Sequence, residues 1–248
     1  MSVIYILWLR ELKRYVRSRS QLIASFGQPL LYLLALGFGM GPVFQQAGRG
    51  NYIQFVAPGV IAMTILFSSV FSGMGLLWDR QFGFLKETLV APVPRIQIMI
   101  GRTFGAATVA VIQGSLVAIV CFAVGFRVVH WKLFPLALLF MVLIACLFAS
   151  LGTAIGSVLQ NFQGFQLIMS FIVMPIFFMS GALYPLDNLP KAFSLVTSLD
   201  PLAYGVDALR TTLIGQTHFG TTLDLMVLVA TAGVCLAVGR HLFSRIQV

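Results

Sequence analysis

Six long apolar runs, at about 21–44, 53–78, 103–126, 133–159, 164–184 and 221–243, occupy most of the chain. Each reaches the roughly 20 residues that a helix needs to cross a bilayer core. The pattern predicts an all-α polytopic membrane protein with six transmembrane helices, and residues 1–248 form a single transmembrane domain.

Three stretches depart from this pattern. In residues 2–19, Arg10, Lys13, Arg14 and Arg17 recur at helical spacing as one basic stripe, with Ile4, Trp8, Leu12 and Tyr15 on another face. That is an amphipathic helix lying on the membrane surface. The apolar run behind it is too long for a signal peptide. In residues 79–102, Asp79, Arg80, Lys86, Glu87, Arg95 and Arg102 crowd between two spans. Phe82, Phe84, Leu85, Leu89 and Val90 fall at helical intervals among them, which predicts a short amphipathic helix from Arg80 to Val90, stopped by Pro92 and Pro94. Such a helix cannot sit in lipid, so it faces water, either as a plain charged loop or against a partner.

Residues 185–215 read as two short helices in the outer leaflet. Asp187 or Asn188 caps the first, which Pro190 begins; Asp200 caps the second, with Pro201 in its first turn and Gly215 at its end. Ala192, Leu195, Val196 and Leu199 form an apolar face.

Charge sets the orientation. With the N-terminus inside, eleven of the 16 Lys and Arg residues fall on inner segments and five on outer ones, which predicts both termini in the cytoplasm. The formal charge of +9 lies at the ends of apolar runs, where anionic lipid headgroups attract it, and so implies membrane lipids rather than nucleic acid. Cys121, Cys146 and Cys235 lie inside apolar runs without metal-like spacing.

Within the spans, Ala149, Gly152, Gly156 and Ser157 make a small-residue packing face, and Pro175 breaks the fifth span among Met169, Met174, Phe177, Phe178 and Met179. No phosphate-loop, zinc-hydrolase or nucleophile-elbow motif occurs, so the chain itself is not expected to be an ATPase or another enzyme, to hold a metal or to bind a cofactor. Asp224 and Arg240, near the two ends of the sixth run, are read as reaching the interface. Ion-driven carriers usually keep acidic groups at mid-depth, and their absence here argues for an outside energy source.

Three sets of motifs together resemble the permease subunits of type-2 ABC exporters, the group of daunorubicin-resistance, nodulation-factor and polysaccharide export permeases, with ABCG half-transporters as distant relatives. The first set is Gln28-Pro29-Leu30, Gly37-Phe38-Gly39 and Phe55-Val56-Ala57-Pro58-Gly59. The second is Glu87-Thr88-Leu89-Val90-Ala91-Pro92 with Arg95 and Gly101, which looks like the family's cytoplasmic coupling helix. The third is Ser180-Gly181, Tyr184-Pro185, Leu189-Pro190, Asp200-Pro201 and Asp207-Ala208-Leu209-Arg210, which looks like its outer re-entrant helices.

The resemblance implies export of an amphipathic or lipid-linked substrate (a drug, polyketide, glycolipid or polysaccharide) across a prokaryotic inner membrane. It implies a second permease copy and two copies of an ABC ATPase supplied in trans, which would hold the ATP and Mg. Contact with that ATPase falls to Arg80, Phe84, Lys86, Glu87 and Arg95, and the substrate pathway to Phe67 and Phe71 on the second span and Met174, Phe177 and Phe178 on the fifth. The alternative is an ion-coupled secondary carrier or channel.

Overall fold

The computed structural model describes residues 2–48, 50–84, 93–187 and 190–244, apart from the side chains of residues 19–25. Most of the described residues are helical, with no strand among them. Helix α1 (Val3–Arg17) leads into α2 (Arg19–Gln46). Then come α3 (Tyr52–Phe71) and α4 (Met74–Gln81), α5 (Arg95–Val124), and α6 (Phe134–Val158). They are followed by α7 (Phe162–Ile168) and α8 (Met174–Met179), then α9 (Lys191–Leu199), α10 (Pro201–Ile214) and α11 (Thr221–Ser244). Six segments are long and apolar enough to cross a membrane, at Phe26–Gln46, Tyr52–Gln81, Arg95–Val124, Trp131–Val158, Phe162–Met179 and Thr221–Ser244.

The second span is the core of the bundle. Every residue from 55 to 66 is buried, as expected of a helix that is apolar all round and enclosed by neighbours. Its two pieces, α3 and α4, meet at Gly73, where the fourth span presses in. A Cβ on Gly73 would overlap the Gly152 carbonyl, and one on Gly156 would overlap that of Gly73. The small-residue face of α6 is therefore a packing surface within the subunit.

The fifth span changes its winding in the middle. A π-helical turn, Met169–Val173, joins α7 to α8 and ends just before Pro175 in the first turn of α8. Proline has no amide donor, and the wider turn lets the backbone pass it without a full break.

Several expectations need correction. The second-span helix runs on through Arg80 to Gln81 and stops at Gly83, whose φ is 81°. Arg80 is thus the end of a span and not the start of a separate helix. Residues 85–92, which hold Lys86, Glu87 and the rest of the expected coupling helix, lie outside the described residues.

Helix α1 turns its Trp8 and Tyr15 side toward protein rather than lipid, with Tyr15 5% exposed. The first outer helix starts at Pro190 without a side-chain cap, while Asn188 lies outside the described residues. Of the two outer helices, α9 is exposed and α10 is clasped by α3, α6 and α11. The Asp200 cap and the left-handed Gly215 end of α10 (φ 77°) are as expected. Asp224, in the first turn of α11, is buried in protein rather than exposed.

Candidate coupling site and cavity

Both described chain ends lie at one end of the bundle, here called the base. Helix α1 is seated there on the start of the third span because Gly101 and Gly105, four residues apart, remove the side chains that would hold it off. A Cβ on Gly101 would lie 3.0 Å from the Ile4 carbonyl oxygen, and one on Gly105 would lie 2.8 Å from the Glu11 Cβ. One turn further on, Trp8 donates its indole N–H to Thr108 Oγ1 at 3.0 Å.

Charge completes this clamp. Asp79, on α4, accepts from Arg10 of α1 at 3.0 Å and pairs through its other oxygen with Arg102 of the third span. Desolvating a lone carboxylate or guanidinium is costly, so this buried position holds only because opposite charges meet in it. The charges of Asp79 and Arg102, expected to face water, instead tie three helices together.

Other cations add ties at the base. Arg80 donates to the Leu159 carbonyl at 2.8 Å and to that of Ser157 at 3.4 Å, holding the second span to the end of the fourth. Arg95 donates to the Ser244 carbonyl at 2.7 Å, joining the third span to the sixth. These carbonyls sit at or near helix C-termini, where cations are favoured.

Above the clamp, a cavity of about 620 Å³ opens between α1, the first, second and third spans. Met63, Phe67, Phe71, Trp78 and Val109 give it an apolar wall. Glu11 and Arg14, themselves paired at 3.1 Å, close its base, and Gln28 and Gln113 add amides.

The opposite end of the bundle, the crown, brings Phe55 and Gly59 of the first motif set together with Gly181, Asp207 and Arg210 of the third. Arg210 of α10 donates to the carbonyls of Gly181 at 3.1 Å and Phe55 at 3.5 Å, and its guanidinium lies 3.9 Å from the centre of the Phe55 ring. Burial pulls its pKa down to about 10, against the opposing pull of Asp207 and Asp187. A Cβ on Gly59 would overlap the Ala182 carbonyl, so that glycine admits the turn that presents Gly181. Asp207 in turn accepts from the backbone amides of His218 and Phe219 at 2.7–3.0 Å. Phe55, Gly59, Gly181, Asp207 and Arg210 thus form one lock between the second span, the end of the fifth and α10.

The expected pathway residues are brought together in part. Phe177 is fully buried, with the rings of Phe67 and Tyr32 at 5.9 and 6.0 Å. Phe71 meets Phe165 at 6.4 Å and is half exposed beside the cavity, while Phe178 and Met174 lie further along the fifth span, Phe178 on its outer surface. Of the expected ATPase-contact residues, Arg80 and Arg95 have protein partners at the base and Phe84 is exposed just beyond α4.

A family model described as ABC-2 type transporter matches residues 2–214, a stretch that includes α1, the clamp, the cavity and the lock. The chain belongs to the ABC-2 type transporter family. Nodulation protein J of Rhizobium leguminosarum bv. viciae is 28% identical to this ABC-2 permease over 211 residues, or 84% of this chain and 81% of that protein. The inner membrane transport permease YadH of Escherichia coli K12 is 29% identical over 231 residues, 91% of this chain and 89% of that one. A putative transport permease, ycf38 of Cyanophora paradoxa, is 28% identical over 192 residues, 76% of this chain and 66% of that one. This ABC-2 chain is accordingly a multi-pass membrane protein and a transport permease subunit, and its family implies an ABC ATPase partner.

Proposed function

We propose that the chain is the membrane subunit of an ATP-driven exporter that moves an amphipathic or lipid-linked molecule outward through an inner membrane. The observation that carries this reading is the clamp at the base. Residues 85–92 join α4 to α5, and the Asp79 cluster ties those two helices to each other and to α1. A push applied to the connecting segment therefore moves the second and third spans and α1 together.

In this reading two ABC ATPase subunits, made as separate chains and carrying the ATP and Mg, grip the base through Arg80, Phe84, Lys86, Glu87 and Arg95. Glu87, flanked by cations in sequence, orients the segment by charge-assisted hydrogen bonds. A second permease copy packs along the second and fifth spans, whose exposed aromatics include Phe71, Phe171 and Phe178. The substrate path follows Phe67, Phe71, Met174, Phe177 and Phe178, and the base with both termini faces the cytoplasm.

The test is Glu87→Ala in the complex with the ATPase. Expression and dimerisation should hold, while substrate-stimulated ATP hydrolysis and export fall together. Normal export at normal membrane levels refutes the assignment.

A further inference from the structure

The cavity above the clamp has a chemistry more specific than an apolar gap between helices. At about 620 Å³ it falls within the roughly 300–1,000 Å³ of small-molecule sites. Its wall is made by Pro29 of the first span, Met63, Phe67 and Phe71 of α3, and Trp78 of α4. Its two ends are polar. At the base, Glu11 and Arg14 present both signs of charge, and Arg14 is 43% exposed in its side chain.

At the deep end lies Gln113, 5% exposed and without a hydrogen-bond partner among the described residues. A buried amide ordinarily finds a partner, and one left open in the wall of a cavity is satisfied by whatever fills it. Glu11 packs on Gly105, and Gln113 stands eight residues further along the same helix, so the two polar ends are about 12 Å apart.

We infer that this cavity binds an amphipathic molecule with a zwitterionic or charged head at Glu11–Arg14, an apolar chain along Phe67, Phe71 and Trp78, and a hydrogen-bonding group on that chain at Gln113. The occupant is a functionalised chain, such as a hydroxylated or amide-bearing one, since a plain acyl chain leaves Gln113 unsatisfied. The site lies within one subunit, between the first, second and third spans. It deepens the exporter reading and rests on it for the view that the occupant is cargo.

The test uses the purified chain in phosphatidylcholine vesicles with two diazirine-bearing lysophosphatidylcholine probes. They differ only in a terminal hydroxyl on a chain long enough to reach from Arg14 to Gln113. After photolysis, the hydroxylated probe should label the peptides around 67–78 and 106–113 several-fold more than the plain one. Gln113→Leu should bring the two probes to the same level. Val109→Trp should remove cavity labelling by both, while labelling at exposed Phe171 and Phe178 reports that the chain remains inserted.

Equal cavity labelling by both probes in the native chain means that ordinary bilayer lipid fills the space, and overturns the assignment. A preference that survives Gln113→Leu overturns it as well. No ATPase or nucleotide is present, so a failure here leaves the exporter reading standing. A failure of ATP coupling, conversely, leaves the labelling pattern untouched.

Discussion

Arg102 of the third span and Asp79 at the foot of the second form an ion pair whose side chains are 8% and 7% exposed. Arg10 of α1 reaches the same carboxylate from a more open position. Breaking such a pair from one side leaves a buried charge without its partner, which typically costs about 3–5 kcal/mol, whereas replacing both partners by apolar groups is far milder. Asp79→Leu should therefore lower the thermal midpoint in detergent strongly, and Asp79→Leu with Arg102→Met should recover much of the loss. Strictly additive losses would mean that the two groups do not depend on each other.

The seat of α1 depends on a missing side chain. Gly105→Leu places new atoms where Glu11 now lies, and the backbone of α1 has to lift. Amide hydrogen exchange should rise several-fold across Val3–Arg17 while the buried run 55–66 of the second span keeps its protection. Unchanged exchange in α1 would contradict the close seat.

Asp200 supplies a pH dependence. Its side chain caps α10 by accepting from the Leu202 amide at 2.8 Å, yet burial raises its pKa to about 7. A carboxyl that holds its proton more tightly folded than unfolded favours the folded state at low pH. Stability then declines as pH climbs from about 4 to about 7, by up to about 1.4 kcal/mol per pH unit. Asp200→Asn keeps a good cap and removes the charge, so it should flatten that slope and melt above the native chain at pH 8. A native chain that gains stability from pH 4 to 7 would contradict this.

Orientation is open to direct measurement. Two of the counted cations, Arg102 and Arg210, are buried in protein, one at each end of the bundle, so the remaining balance is ten against four. The bias still predicts the base inside. A cysteine at Lys191 should react with an impermeant reagent on intact cells and one at Lys86 should not. The reverse pattern would invert the molecule.

The parts legible in the sequence were those set by local pattern. Hydropathy marked all six spans, Asp200-Pro201 and Gly215 marked α10, and the four-residue spacing of Gly152 and Gly156 marked a packing face. What escaped was set by pairing across the turn. Asp79 and Arg102 stand 23 positions apart in a charge-dense stretch, and nothing local separates a buried pair from two solvated charges.

The apolar stripe on α1 suits a lipid surface and a protein surface equally; Gly101 and Gly105 decide the matter, and nothing in the sequence pairs them with α1 before the fold brings them together. The same holds at the crown, where Phe55, Gly181 and Arg210 are far apart in the chain and meet only in the fold.

The most direct test of the account is the export achieved per ATP hydrolysed by the Gly105→Leu permease reconstituted with its ABC ATPase. If α1 and the second and third spans move as one body, lifting α1 should leave ATP hydrolysis running while export per ATP falls several-fold. Export per ATP equal to that of the native complex, with α1 shown by hydrogen exchange to be displaced, would contradict the clamp as the link between the ATPase and the transport path.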